Sequence, residues 1–242
     1  MMLPTILLIH GAWHTPATYA KLTDSLESYG YNVHIPRLPS LDEVSERGLT
    51  GDIAHVRSVA SSLLAEGRRL VVIMHSYGGQ VGTSALAGLG PGVLHLIYMC
   101  AFAIPRTTSL FEQTQEAGAE ELIPLVFDIG EDGTVAVKDV RTMFFGEVRG
   151  EEVEEYVGTL VERWDGSGMF ERGTGEAWKE VSVTYVVTTD DKMLDVSRQK
   201  KMIEDMRAQG SDVSVVELKD GHCPNLTSTE DIVKVVRSVK VE

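Results

Sequence analysis

Val71-Val72-Ile73-Met74-His75-Ser76-Tyr77-Gly78-Gly79 restricts the possible folds of this chain more than any other segment. A β-branched apolar run stops at a serine, and two glycines follow at once. That pattern turns a buried strand sharply into a helix and leaves a serine hydroxyl at the corner, where small neighbours relieve a strained backbone. The motif for such a corner is G-x-S-x-G, and Met74 stands at its first glycine. A larger side chain must therefore fit beside the turn. Phosphate-binding turns also place a serine between strand and helix, so the corner needs support from the rest of the chain.

Three other segments supply it. Val183 to Thr188 reads as a buried strand and runs into Thr189-Asp190-Asp191-Lys192. Val213 to Leu218 is a strand-like run that leads to Lys219-Asp220-Gly221-His222-Cys223. Near the N-terminus, Ile6 to Ile9 is a short apolar strand ending in His10-Gly11-Ala12-Trp13-His14. Serine, acid and histidine thus follow one another in the chain, each just past a strand. The glycine-containing turn after the first strand can aim a backbone N–H at the same place.

In these segments the chain resembles the α/β-hydrolases, and within them the branch of plant methylesterases, hydroxynitrile lyases and related fungal and bacterial hydrolases. The resemblance rests on the H-G-A-W-H opening, the H-S-x-G-G corner, the T-x-x-D-K segment at Thr188 to Lys192 and the G-H turn, and spans nearly the whole length. It implies a mainly parallel sheet with helices on both faces. It also implies Ser76 as nucleophile, His222 as base and Asp191 as the acid that orients it, Asp190 being the alternative carboxylate. The lyases of that branch carry a threonine after the opening histidine and a lysine after the catalytic one. Gly11 and Cys223 stand there in this chain, which favours hydrolysis over cyanohydrin cleavage.

The expected chemistry follows from the residue types. A serine hydroxyl attacks an acyl carbon at neutral pH only if a base takes its proton. The oxyanion is expected to take N–H bonds from Ala12 and Tyr77, and Trp13 and His14 are expected to line the substrate pocket. His10 and His14 have an H-x-x-x-H spacing but straddle a strand end and a loop, so a zinc site is not expected. Cys223 lacks a second base and reads as a packing residue. His75 is expected to pack under the turn, and His34 and His55 to be surface or packing residues. No metal, nucleotide or flavin is called for.

Composition limits the partners. A net charge of −14 disfavours nucleic acid. No apolar run reaches the roughly 20 residues of a membrane-spanning helix. Met1 to Ile9 has neither a basic n-region nor a cleavage site and reads as a core strand. Two cysteines among 242 residues fit a reducing compartment, so the cytoplasm is the expected location. Residues 105 to 180 hold 18 acidic and 7 basic side chains and 8 of the 16 aromatics. That composition marks them as a lid inserted into a core of residues 1–104 and 181–242, or else as a solvated helical excursion anchored by its aromatics. An aromatic lid points to a small hydrophobic or aromatic ester, lactone or thioester. A lyase or C–C bond hydrolase on the same residues, or a ligand-binding receptor that has lost turnover, stays open, as does the oligomeric state.

The flanking elements complete the expectation. Thr15-Pro16 starts a helix with Tyr19, Leu22, Leu26 and Tyr29 on one face, and Tyr31 to Ile35 is a strand. Asp52 caps a helix bearing Ile53, Val56, Ala60, Leu63 and Leu64. Val93 to Met99 is a strand, Asp128 to Gly133 a hairpin turn, and Glu151 to Glu155 part of a helix. Ser228, paired with Asp231, caps a final helix with Ile232, Val236 and Val239 inward. Strand and helix alternate, which requires a parallel sheet covered on both faces.

Overall fold

A computed structural model describes residues 3–42 and 48–240. Strand β1 (Thr5–Ile9), helix α1 (Ala20–Ser28), β2 (Asn32–His34), α2 (Gly48–Ala65), β3 (Leu70–His75), α3 (Gly78–Ala85) and β4 (Val93–Met99) follow one another in the first half. Next come α4 (Leu110–Glu116), α5 (Ile123–Val126), β5 (Phe127–Ile129), β6 (Thr134–Val137), α6 (Val140–Phe145), α7 (Glu151–Val157) and β7 (Trp164–Asp165). The chain closes with β8 (Val183–Thr188), α8 (Val196–Ala208), β9 (Val213–Leu218), α9 (Pro224–Thr227) and α10 (Thr229–Ser238).

Six strands form one sheet in the order β2-β1-β3-β4-β8-β9, and every pairing is parallel. The central strands are buried on both faces, so their sequences are apolar without interruption, and alternate residues feed different cores. Leu7, Ile9, Val72, Met74, Leu96 and Tyr98 join the cluster that includes α2 and α3. Ile6, Leu8, Val71, Ile73, Ile97 and Met99 join the cluster packed with α1 and α10. From β1 the chain steps one way to β2 and then back past β1 to β3. The C-terminal ends of β1 and β3 therefore sit side by side where the strand order reverses, the usual place for a binding crevice.

Between β4 and β8 the chain leaves the main sheet and builds a second, antiparallel one in the order β5-β6-β7. The expected hairpin is the β5–β6 turn, with Gly133 at φ +81°. Helix α7 covers the acidic Glu151 to Glu155 run. No helix among the described residues is long and apolar enough to cross a membrane.

Several local expectations need correction. Pro16 opens a short 3₁₀ turn, with α1 beginning only at Ala20, and Tyr29 is exposed at the helix end, its ring under Arg237. Asp52 caps nothing, because α2 already starts at Gly48, and its buried carboxylate accepts from the Ser40 N–H and the Tyr77 hydroxyl instead. Ser228 precedes α10, but its hydroxyl is drawn to Asp220, so no side-chain cap forms with Asp231. The strand expected over Tyr31 to Ile35 is confined to three residues. Of the strand expected from Met1, the first two residues lie outside the described ones, and β1 begins at Thr5.

Candidate active site

The serine corner forms because two strands approach too closely for anything but glycine. A Cβ on Gly78 would lie 2.3 Å from the Ile9 carbonyl oxygen, and one on Gly79 would lie 2.7 Å from that of Phe102. Ser76 sits between β3 and α3 at φ +52°, and its carbonyl accepts from the N–H groups of Gly79 and Phe102, both at 3.0 Å. Met74, at the missing glycine, is accommodated by a different one. Gly82 faces its side chain, and a Cβ there would come within 2.4 Å of the Met74 sulfur. Among the described residues, the other two non-glycine residues at positive φ, Trp13 and Cys100, follow β1 and β4, so backbone strain gathers at one end of the sheet.

His222 follows β9 and Asp191 follows β8. The His222 Nε2 lies 2.9 Å from the Ser76 Oγ, and its Nδ1 lies 2.8 Å from the Asp191 Oδ2. With Nδ1–H donating to the carboxylate, Nε2 is left to accept the serine proton. The remaining Asp191 lone pairs are occupied: Oδ2 accepts from Thr188 Oγ1 at 2.9 Å, and Oδ1 from the N–H groups of Met193 and Leu194 at 2.8 and 2.9 Å. Asp190, the alternative, is exposed on the outer side of the turn. Gln199 braces Thr188 from α8 through the backbone N–H, carbonyl and hydroxyl.

A second chain of hydrogen bonds fixes the histidine from behind. The Gly11 N–H donates to the Tyr19 hydroxyl, which donates to the His75 Nδ1, and the His75 Nε2–H donates to the His222 carbonyl oxygen at 2.8 Å. This pattern requires a neutral His75, and burial together with the nearby His14 and His222 rings holds its pKa well below the usual histidine value. His75 therefore does more than pack: it ties the loop after β1 to the loop after β9. The tyrosine in this relay, at the start of α1, carries no sequence motif that would reveal it.

Ala12 and Tyr77 flank Ser76 at the cavity floor. Among the described residues, neither backbone N–H donates a hydrogen bond within the protein. Trp13 also lines the cavity, and it bolts the β1 loop to the inserted segment. Its indole N–H donates to the Val135 carbonyl at 2.7 Å, and its own carbonyl accepts from Val161. His14 does not reach the cavity. Its Nδ1–H turns back to the Ala12 carbonyl at 2.6 Å, its ring stacks on Phe144, and burial lowers its pKa to about 3.

The cavity above Ser76 measures about 180 Å³. A dry apolar cavity of about 150 Å³ holds one benzene ring, so this space suits a group of that size. The sheet end contributes Ala12, Trp13 and Phe102, and the inserted segment contributes Leu110, Phe127 and Met169 among others. The charged residues reaching it are Lys192, Asp195 and Arg198, all in or just before α8.

Behind the floor lies a polar knot that the sequence reading missed. Asp52 accepts from the Tyr77 hydroxyl at 2.9 Å and from the Ser40 N–H at 2.9 Å, and the Trp164 indole N–H donates to the Ser40 hydroxyl. Burial is the main reason the Asp52 carboxyl is raised to about 6. Potential metal donors also cluster here: His14, His75 and Cys223 lie close together, as do His75, Cys100 and His222. Their imidazole nitrogens are already engaged in hydrogen bonds, and burial pushes both thiols well above their ordinary values. The His10 Nε2 accepts from the Leu38 N–H and points away from both clusters.

A serine, an imidazole and a carboxylate linked in this order, on a parallel sheet, define an enzyme of the hydrolase class. The chain belongs to the alpha/beta hydrolase family, whose model matches residues 6–235. It is 27% identical to the alpha/beta hydrolase nvfD of Aspergillus novofumigatus, over 100% of this chain and 98% of that protein. It is 26% identical to a pyrethroid hydrolase of Sphingobium wenxiniae, over 98% of this chain and 87% of that one. Among solved structures, polyneuridine aldehyde esterase superposes with a TM-score of 0.79 at 18% identity, covering 98% of this chain and 99% of that one.

Proposed function

We propose that this protein hydrolyses a small hydrophobic or aromatic ester, lactone or thioester, with Ser76 as nucleophile. The observation that carries the reading is the hydrogen-bonded series Ser76–His222–Asp191 at the floor of an apolar cavity. Ser76 Oγ attacks the acyl carbon while His222 Nε2 takes its proton, and Asp191 stabilises the resulting imidazolium through Nδ1–H. The oxyanion takes N–H bonds from Ala12 and Tyr77, each worth about 3 to 4 kcal/mol of transition-state stabilisation. Collapse expels the alcohol, which receives the His222 proton, and leaves Ser76 acylated. Water, deprotonated by His222, then attacks the acyl carbon and releases the acid and the free serine.

Residues 105–180 act in this reading as a lid that supplies much of the apolar wall. The names of the pyrethroid hydrolase and the polyneuridine aldehyde esterase agree with ester chemistry on this scaffold. Gly11 offers no side chain, and the thiol of Cys223 is buried and protonated, so neither position supplies a charged group for a cyanide leaving group. The reading is tested by hydrolysis of 4-nitrophenyl butyrate. Wild type should turn it over, and Ser76→Ala should lower the rate by about four orders of magnitude or more. A Ser76→Ala rate close to wild type contradicts the proposal.

A further inference from the structure

Arg198 lies in the first turn of α8 and lines the same cavity as Ser76. Its side chain is half-buried, yet among the described residues it has no carboxylate partner. The nearest candidate, Asp195, is committed to the start of α8, where it accepts from the N–H groups of Ser197 and Arg198. Within the protein the guanidinium donates to the Thr114 hydroxyl at 3.1 Å and sits 5.7 Å from the centre of the Phe102 ring. That hydroxyl donates onward to the Leu110 carbonyl. A guanidinium has five N–H donors, and one bond to a neutral hydroxyl leaves most of them available.

Burying a cation with no carboxylate in contact is costly, and the Asp195 charge, which acts on Arg198 from beyond ion-pair distance, offsets only part of that cost. The desolvation shows in a pKa below the usual arginine value. On the Ser76 side the walls are otherwise largely apolar apart from Lys192 and Asp195, while the other side of the Arg198 side chain borders a polar surface recess with Gln113, Glu116 and Asp205. A planar fork of donors at the side of such a cavity matches the geometry of a carboxylate, which it can bind through two parallel charge-assisted hydrogen bonds. We propose that Arg198 anchors a carboxylate on the substrate, so that the enzyme acts on hydrophobic esters bearing a second, ionised carboxyl group. The inference rests on the reading of Ser76 as nucleophile only in placing that anion on a substrate. The purely structural alternative is a clamp in which Arg198 holds α4 against α8 through Thr114.

Calorimetric binding of 4-phenylbutyrate and its neutral analogue 4-phenylbutyramide separates the two. On wild type at neutral pH the carboxylate should bind about tenfold tighter than the amide or better, the scale of a hydrogen-bonded charge. Arg198→Gln should bring the ratio of the two affinities to about one, and Arg198→Lys should keep part of it. Lys200→Gln, an exposed change on another face of α8, should leave the ratio where wild type has it. A clamp predicts that both ligands weaken together in Arg198→Gln. Equal binding by wild type, no carboxylate binding at millimolar concentration, or a ratio that survives Arg198→Gln overturns the proposal. The turnover counterpart compares mono-4-nitrophenyl glutarate with 4-nitrophenyl butyrate. If wild type cleaves neither ester, the nucleophile reading fails, while the binding ratio still decides the anion site.

Discussion

The strand ends and the inserted segment face the same cavity but are held by different forces. At the strand ends, His10, His14, His75, Ser76 and His222 are all buried, and hydrogen bonds chain Gly11, Tyr19, His75, His222 and Ser76 one to the next. Backbone approaches fix the corner so tightly that a single Cβ would collide with a carbonyl oxygen. The inserted segment carries charges instead. Its pairs Arg141–Glu154, Arg163–Asp128 and Arg172–Glu112 lie at the surface, where solvent screening leaves each only a small contribution. Leu122, Leu125 and Phe170 are more than half exposed on it. It contains none of the seven histidines. The hydrogen-bonded residues thus sit where the backbone leaves no room, while residues 105–180 meet the cavity from a segment held at its surface by exposed ion pairs.

The largest effect that would sharpen this contrast concerns the two adjacent carboxylates. Asp191→Asn should lower kcat by about 10³- to 10⁴-fold through loss of the imidazole's orientation and charge stabilisation. Asp190→Asn, on the exposed side of the same turn, should change it by less than about threefold. Equal losses would show that the turn, and not the buried hydrogen bonds, carries the effect.

Acid should act through the strand ends. Burial holds His10 and His14 at about 4 and about 3, below the unfolded value of 6.5, so both stay neutral in the folded protein. Their contribution is complete above pH 6.5 and is lost as pH falls towards those folded values. For His10 alone this amounts to about 3 kcal/mol at pH 4. Asp52 works the other way, because its raised pKa makes folding less favourable as pH climbs from about 4 to about 6. Urea unfolding at pH 7 and pH 4 should show a net loss of several kcal/mol in acid, and His14→Gln should flatten that slope. A slope unchanged in His14→Gln would move the acid sensitivity elsewhere.

Glycine substitutions give the smallest pair of effects. Gly78→Ala pushes a methyl into the Ile9 carbonyl and should cost about 3 kcal/mol or more by urea unfolding. Gly133→Ala, in the β5–β6 turn, meets nothing within 4 Å and pays only for its positive φ, about 1 kcal/mol. A similar cost at both sites would mean that the corner is less constrained than its contacts imply.

Much of the fold could be read from local pattern, because strands buried on both faces leave uninterrupted apolar runs. Val71 to Met74 and Val183 to Thr188 fall where those runs stand, the half-exposed edge strand Val213 to Leu218 is marked by its valines alone, and Ser76, His222 and Asp191 meet in space as their chain order implies. The failures have a common physical cause. Asp52 and Ser228 have the side chains of helix caps, but a distant partner, Tyr77 in one case and Asp220 in the other, outbids the local backbone. The relay through Tyr19 and the carboxylate-free Arg198 depend on which residues become neighbours after folding. The contact by which Gly82 makes room for the Met74 side chain is likewise visible only once β3 and α3 are packed together.

The central claim is that Ser76 is an activated nucleophile within a preassembled site. It is tested most directly by intact-mass analysis after exposure to a fluorophosphonate, comparing wild type with Ser76→Ala. One adduct per wild-type chain and none on the folded variant is the predicted result. A folded wild type that takes up no adduct, or a Ser76→Ala variant that still takes up one, would contradict it.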